Sequence, residues 1–144
     1  MSRVRTVRFV SQSKIAGWNG EGVGVVVVAS PAQSILTFTE SGNWQSSNGS
    51  KINFSNIFRW TLAGDETVGL EHLRFGPEHP VYLFDISPRS EIEWASIEPH
   101  RCEKDVYSAS LRVLESGIKM YWSIVGPKKN ERIEYEYSWP GERE

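Results

Sequence analysis

Four residues able to move protons or bind polar groups lie close together in the stretch EPHRCEKDVYSASLRVLE: His100, Cys102, Asp105 and Tyr107. A histidine beside a carboxylate is an acid–base couple that works near neutral pH, and a phenol adds a hydrogen-bond donor. Along an extended strand, alternation puts His100 and Cys102 on one face and Asp105 and Tyr107 on the other. A bulge at Glu103–Lys104 would bring all four together, and bulges do re-aim side chains at functional sites. His100, Asp105 and Tyr107 are therefore the candidate catalytic residues. The competing reading is plainer: a strand-start histidine bonded to a backbone carbonyl, and a cysteine packed as a small hydrophobe. Cys102 as a nucleophile would need an electropositive setting; packing is the better account of it.

A second set of charges is interleaved with strand aromatics: Glu40, Arg59, Glu71, His72, Arg74 and Asp85. Arg59 alternates with Phe58 and Trp60. If the apolar row points inward, Arg59 is solvated and forms cross-strand ion pairs. If its own row (Asn53, Ser55, Ile57, Arg59, Thr61) points inward, the interior is polar and Arg59 would clasp a carboxylate in bidentate fashion. The rarity of buried unpaired charge favours the first. His72, His79 and His100 show no tight ligand spacing, so no metal site is expected. Trp44, Trp60, Trp94, Trp122 and Trp139 fall in five different strands, where they either fill a core or wall an apolar pocket. Trp18 could cap the opening of such a pocket. Lys128–Lys129, after Gly126–Pro127, is a solvated turn or a lure for anions.

The elements that must hold these residues are strands. Period-two patterns or β-branched runs span Val4–Ser11, Val23–Ala29, Ile35–Gln45, Ile52–Ala63, Thr67–Phe75, Val81–Ile86, Glu91–Ile97, Arg101–Glu115, Ile118–Val125 and Arg132–Trp139. Turn chemistry separates them at Ser46–Ser50, Ala63–Asp65, Gly76–Glu78, Ser87–Ser90 and Ser116–Gly117. The glycine-rich GWNGEGVG reads as a turn or a bulged glycine-rich entry to the next strand, with sharp bending at a barrel corner the favoured role, since no Lys-Ser/Thr or helix follows as a phosphate loop requires. Pro31 ends the second strand. No helical stripe occurs. Short connections imply antiparallel neighbours, and closing the meander removes its two exposed edges. The expectation is a single antiparallel up-and-down β-barrel of about ten strands spanning residues 1–144, with a polar tail at 140–144. A barrel that wide should enclose a cavity.

Composition narrows the partners. A net charge of −2 gives no basic footprint for nucleic acid. The longest apolar run, Val23–Ala29, is too short for a membrane-spanning helix, which needs about 20 residues. One cysteine excludes an internal disulfide and suits a reducing compartment. The start, MSRVRTVRFVSQSK, lacks the apolar core of a signal peptide. The protein is expected to be cytoplasmic, bound to neither nucleic acid nor membrane; a homodimer is compatible with the sequence.

The motifs FTESGNW (38–44), FRW (58–60), HRCEKDVY (100–107), MYWSIVGPKK (120–129) and IEYEYSW (133–139) occur in an order that resembles domain-of-unknown-function 6314, a family of uncharacterised calycin-like bacterial proteins. They span about two thirds of the chain. The resemblance implies a lipocalin-like antiparallel barrel and brings no established activity, cofactor or catalytic residue. GWNGEGVG is also similar to the start of nitrobindin-like haem barrels. Their haem-ligating C-terminal histidine has no counterpart, because the last histidine here is His100. No cofactor is expected.

Together these readings point to a barrel that binds a small, partly apolar ligand, with an anionic group as one option. Arg59 would meet that group, His100 and Tyr107 would donate hydrogen bonds, and Trp60 and Trp122 would supply apolar walls. Two alternatives stand beside it: an isomerase, cyclase or lyase built on His100, Asp105 and Tyr107, and a structural or protein-interaction module.

Overall fold

The structure, a computed structural model, describes residues 2–13, 19–64, 66–97, 100–102, 104–127 and 129–140, excepting the side chains of 100–102. Trp18, Glu103, Lys128 and the tail residues 141–144 lie outside the described residues.

The described residues form eleven strands and no helix: β1 (Thr6–Ser13), β2 (Gly20–Ala32), β3 (Ile35–Ser46), β4 (Lys51–Ala63), β5 (Thr67–His72), β6 (Val81–Pro88), β7 (Glu93–Ser96), β8 (His100–Cys102), β9 (Asp105–Val113), β10 (Gly117–Gly126) and β11 (Lys129–Ser138). Every pairing is antiparallel. Strands β1 to β7 pair in chain order, β7 pairs with β9, β9 with β10, β10 with β11, and β11 with β1, so ten strands close into an up-and-down barrel. The eleventh, β8, adds to the edge of β9.

This corrects the eighth expected strand. Arg101–Glu115 is not one long strand but parts of two, β8 and β9, paired with Cys102 opposite Asp105 and His100 opposite Tyr107. Successive stretches of one β9 edge take β7 and then β8. Between them the ladder is carried by a side chain: Ser96 Oγ donates to the Ala109 carbonyl and accepts from its N–H, both at 3.0 Å. The second strand also differs. It runs through Pro31 to Ala32, because a register shift between Ala29 and Ala32 removes the need for a ladder N–H at the proline.

Alternation decides the rest. The rows Leu36–Phe38–Glu40 on β3, Phe54–Asn56–Phe58–Trp60 on β4, Met120–Trp122 on β10 and Tyr135–Tyr137 on β11 face inward, and the core is built from them. Outward rows carry exposed ion pairs such as Lys119–Glu136 and Arg112–Glu93. Aromatic rings pack across the lumen in edge and tilted contacts: Phe38 with Tyr137 at 5.3 Å, Phe58 with Trp122 at 5.8 Å, and Phe84 with Trp122 at 5.5 Å. Each buried aromatic of this kind contributes about 1.5–3 kcal/mol by removal from water. The middle and one end of the barrel are therefore filled by side chains.

The glycines of GWNGEGVG that the structure describes do not bend a corner. Gly20, Gly22 and Gly24 lie within β2. A Cβ at Gly22 would run into the Phe9 ring, and one at Gly24 into the Ser41 carbonyl. Their role is room: they let rings from β1 and β4 lie against the wall.

Candidate functional site

The open mouth of the barrel is the end where β1 and β3 finish and β4 and β11 begin. Here the inward rows thin out and leave a cavity of about 240 Å³. Its walls are Phe9 of β1, Trp44 of β3, Ile52 and Phe54 of β4, and Ile133 of β11. Ser11, Gln12 and Glu131 supply the polar part of its lining. Among the described residues of the lining, Glu131 is the one that carries a charge, a carboxylate. Phe9 and Phe54 meet edge to face at 5.1 Å, and Phe9 lies 5.3 Å from Tyr135, which forms the step down into the core.

Below that step is a group no apolar core needs. Glu40 is fully buried, and its Oε2 accepts a 2.6 Å hydrogen bond from the Tyr137 hydroxyl, reaching across the lumen from β11 to β3. Asn56 sits directly across the ladder from Glu40 and helps hold its charged form. Among the described residues no donor completes a hydrogen bond to Glu40 Oε1. Burial outweighs both partners and pushes the carboxyl from 4.5 up to about 7. Burial, and then the Glu40 charge, push the Tyr135 and Tyr137 phenols upward, so both stay protonated donors.

The array continues to β5. His72 Nε2 lies 3.3 Å from Asn56 Oδ1, and the ring packs at 4.8 Å on Phe58, its ladder partner. With the amide oxygen toward His72, Nε2 carries the proton and Nδ1 is a bare acceptor. Burial, with the Arg74 charge second, lowers the imidazole pKa and keeps the ring neutral. Tyr137, Glu40, Asn56 and His72 thus form one polar chain across four strands, buried at Glu40 and Tyr137 and half-buried at Asn56 and His72. His72 Nδ1 and the indole N–H groups of Trp60 and Trp122 have no hydrogen-bond partner among the described residues. Unsatisfied buried groups are rare in folded proteins, and each costs about 1–3 kcal/mol.

The residues singled out in the sequence are dispersed. Trp60 and Trp122 are buried in the aromatic core below the cavity, not in its lining. Arg59 lies on the opposite face of β4 from Trp60, where its Nε donates to Glu71 Oε1 at 2.8 Å. Asp105 is at the rim, 3.6 Å from Lys129 Nζ. Tyr107 packs against the core from β9. The His100 backbone stands opposite Tyr107 in the hairpin; its side chain and that of Cys102 lie outside what the structure describes. Among the described residues no three His, Cys, Asp or Glu side chains group as metal ligands.

The site residues missed by sequence reasoning are Glu40 and Asn56 as a pair, Tyr137, and the cavity residues Phe9, Phe54 and Ile133. A signal for the first existed: Glu40 shares its strand parity with Leu36, Phe38 and Trp44, so an inward apolar row carries the acid inward with it.

The fold and site define a closed ten-stranded antiparallel β-barrel with an apolar cavity at one mouth and a buried carboxyl chain beneath it. A model of the family of unknown function DUF6314 matches residues 4–139, and the chain belongs to that family. No curated protein and no solved structure matches it.

Proposed function

We propose that this protein binds a small, largely apolar ligand in the mouth of the barrel, in the manner of a calycin. The observation that carries the reading is the 240 Å³ cavity, walled by aromatic and aliphatic side chains from four strands of an otherwise filled barrel. Small-molecule sites have this character: concave, apolar, with a few polar groups to orient the ligand. The lining argues for a neutral or cationic polar end over an anionic one. Among the described residues its one charge is Glu131, and Arg59 is engaged by Glu71 on the outer wall. Rim residues His100 and Tyr107 remain proposed contacts, on a hairpin at the same end.

Native mass spectrometry of gently purified protein, followed by ligand titration of tryptophan fluorescence, tests the reading. Ile52 is 50% exposed at the rim, so Ile52→Trp fills the cavity without disturbing the core. Ligand mass and fluorescence response are expected in the parent protein and absent from Ile52→Trp. An equal response from both proteins would show that the cavity is not the site.

One observation favours a second reading, acid–base catalysis at the rim. The hairpin register sets His100 opposite Tyr107 and Cys102 opposite Asp105, so no bulge is needed to align them. Asp105, however, is engaged by Lys129. Loss of turnover in Tyr107→Phe, with ligand binding retained, would be its signature.

A further inference from the structure

Four buried polar atoms without a hydrogen-bond partner among the described residues surround a single aromatic pair. Phe38 and Phe58 face each other across the β3–β4 ladder. Trp60 packs on Phe38 at 5.6 Å, Trp122 on Phe58 at 5.8 Å, and His72 on Phe58 at 4.8 Å. Glu40 follows Phe38 at the next inward position of β3, bonded to a phenol whose ring also touches Phe38. The unpartnered atoms are two N–H donors, Trp60 Nε1 and Trp122 Nε1, and two acceptors, His72 Nδ1 and Glu40 Oε1. A pure packing core gains nothing from such a set, since apolar residues of the same size would avoid its cost.

The set lies directly below the mouth cavity. On β4, Asn56 is the next inward residue after Phe54, about 7 Å along the strand. On β3 the inward residues between cavity and acid are Trp44, Gly42 and Glu40. Gly42 is paired with Gly24, so this wall carries no side chain between the cavity and the carboxyl. The rings of Phe9 and Phe54, with Tyr135 packed beneath Phe9, separate the two spaces, and ring rotation is a motion that side chains make readily.

We propose that the Glu40–Asn56–His72–Tyr137 chain is the polar end of the ligand site, and that it selects ligands with a terminal hydrogen-bond donor, an amine or an alcohol, on an apolar tail. This rests on the reading of the mouth cavity as the ligand site. Glu40 Oε1 accepts from the ligand's terminal group while an indole N–H can donate to an alcohol oxygen. A carboxylate end would meet a carboxyl and a bare imidazole nitrogen, and is disfavoured. Titration of Glu40 sharpens the choice: Tyr137 and Tyr135 from β11 and His72 from β5 are the described titratable groups around it. All three are neutral at pH 8, so ionised Glu40 is then the charge offered at the inner end of the site, with the Glu131 carboxylate in the lining of the mouth.

The test uses three probes with one tail, octylamine, octanol and octanoate, titrated into the full chain and its Glu40→Gln variant by tryptophan fluorescence and calorimetry. Octylamine and octanol are expected to bind at least tenfold more tightly than octanoate at pH 8. Octylamine should weaken about tenfold at pH 6, and Glu40→Gln should erase the preference for amine over carboxylate. Arg112→Gln, on the outer wall beside Glu93, should keep the preference, and a parent-like circular dichroism spectrum of Glu40→Gln guards against a folding artefact. Equal affinity for all three probes, or tightest binding of octanoate, overturns the assignment and leaves the mouth cavity standing as a ligand site. No binding of any probe removes both readings.

Discussion

Glu40 is where a single residue governs the behaviour of the protein. Its folded value of about 7 lies above its ordinary 4.5. The folded state therefore holds a proton that the unfolded state has released over that interval, and stability falls as pH rises from 4.5 to about 7. The difference corresponds to roughly 3 kcal/mol. His72, held neutral, has the opposite slope, since the folded state binds its proton less readily than the unfolded state. Comparing Glu40→Gln with the parent isolates the carboxyl. Urea unfolding at pH 5 and pH 8 should show the parent losing stability at the higher pH and the variant losing much less. Equal losses would place the Glu40 charge in solvent. At this scale the sequence was legible only in part. The position of Arg59 follows from alternation, and the structure shows it beside Glu71. Glu40 was visible as a charge among aromatics, but its partner Tyr137 lies 97 residues away, and no local pattern links them.

Among the elements, the glycines of β2 and β3 set how closely rings can approach the wall. Gly42 has no flexible neighbour to yield: a Cβ there would run into the Val23 carbonyl and the Cα of Gly24. Gly42→Ala is expected to destabilise the protein by about 3 kcal/mol, the upper range for overpacking. Thermal or urea unfolding measures it, and a loss below about 1 kcal/mol would mean that the β2–β3 wall spreads easily. The same glycines explain a misreading. Several glycines near a strand start suggest a turn by composition, but extended glycines facing a ring serve close approach, and only the tertiary neighbour distinguishes the two. The β8–β9 hairpin was hidden for a similar reason. Its connection includes charged residues, Glu103 and Lys104, in place of glycine or asparagine, so HRCEKDVY reads as continuous strand. The strands flanked by Ser-Ser-Asn-Gly and Ser-Gly were legible because their turns use the residues that such turns require.

At the scale of the whole molecule, hairpin spacing and the absence of helical periodicity were enough to imply an up-and-down barrel, and closure followed from the cost of open edges. How full the barrel is did not follow. Strand number sets the width of the lumen, but ring size and tilt decide where it is filled, and those depend on contacts between strands far apart in the chain. Hence the expected cavity exists at the mouth, while Trp60 and Trp122 belong to the filled part.

The closed ring has a consequence for chain order. Nine of its ten pairings join strands adjacent in sequence, the short β8 aside, and only β11–β1 joins distant ends, with Thr6 opposite Ser138. The barrel has a seam, and the seam can be moved. A circular permutant that links residue 139 to residue 5 and opens the Ser46–Ser50 turn would retain every ladder, while making β3–β4 the long-range pairing. Its circular dichroism and ligand affinity should match the parent's, with a changed folding rate as the mark of a relocated seam. A permutant that cannot fold would mean that the β3–β4 turn, and not the ring, is what starts the barrel.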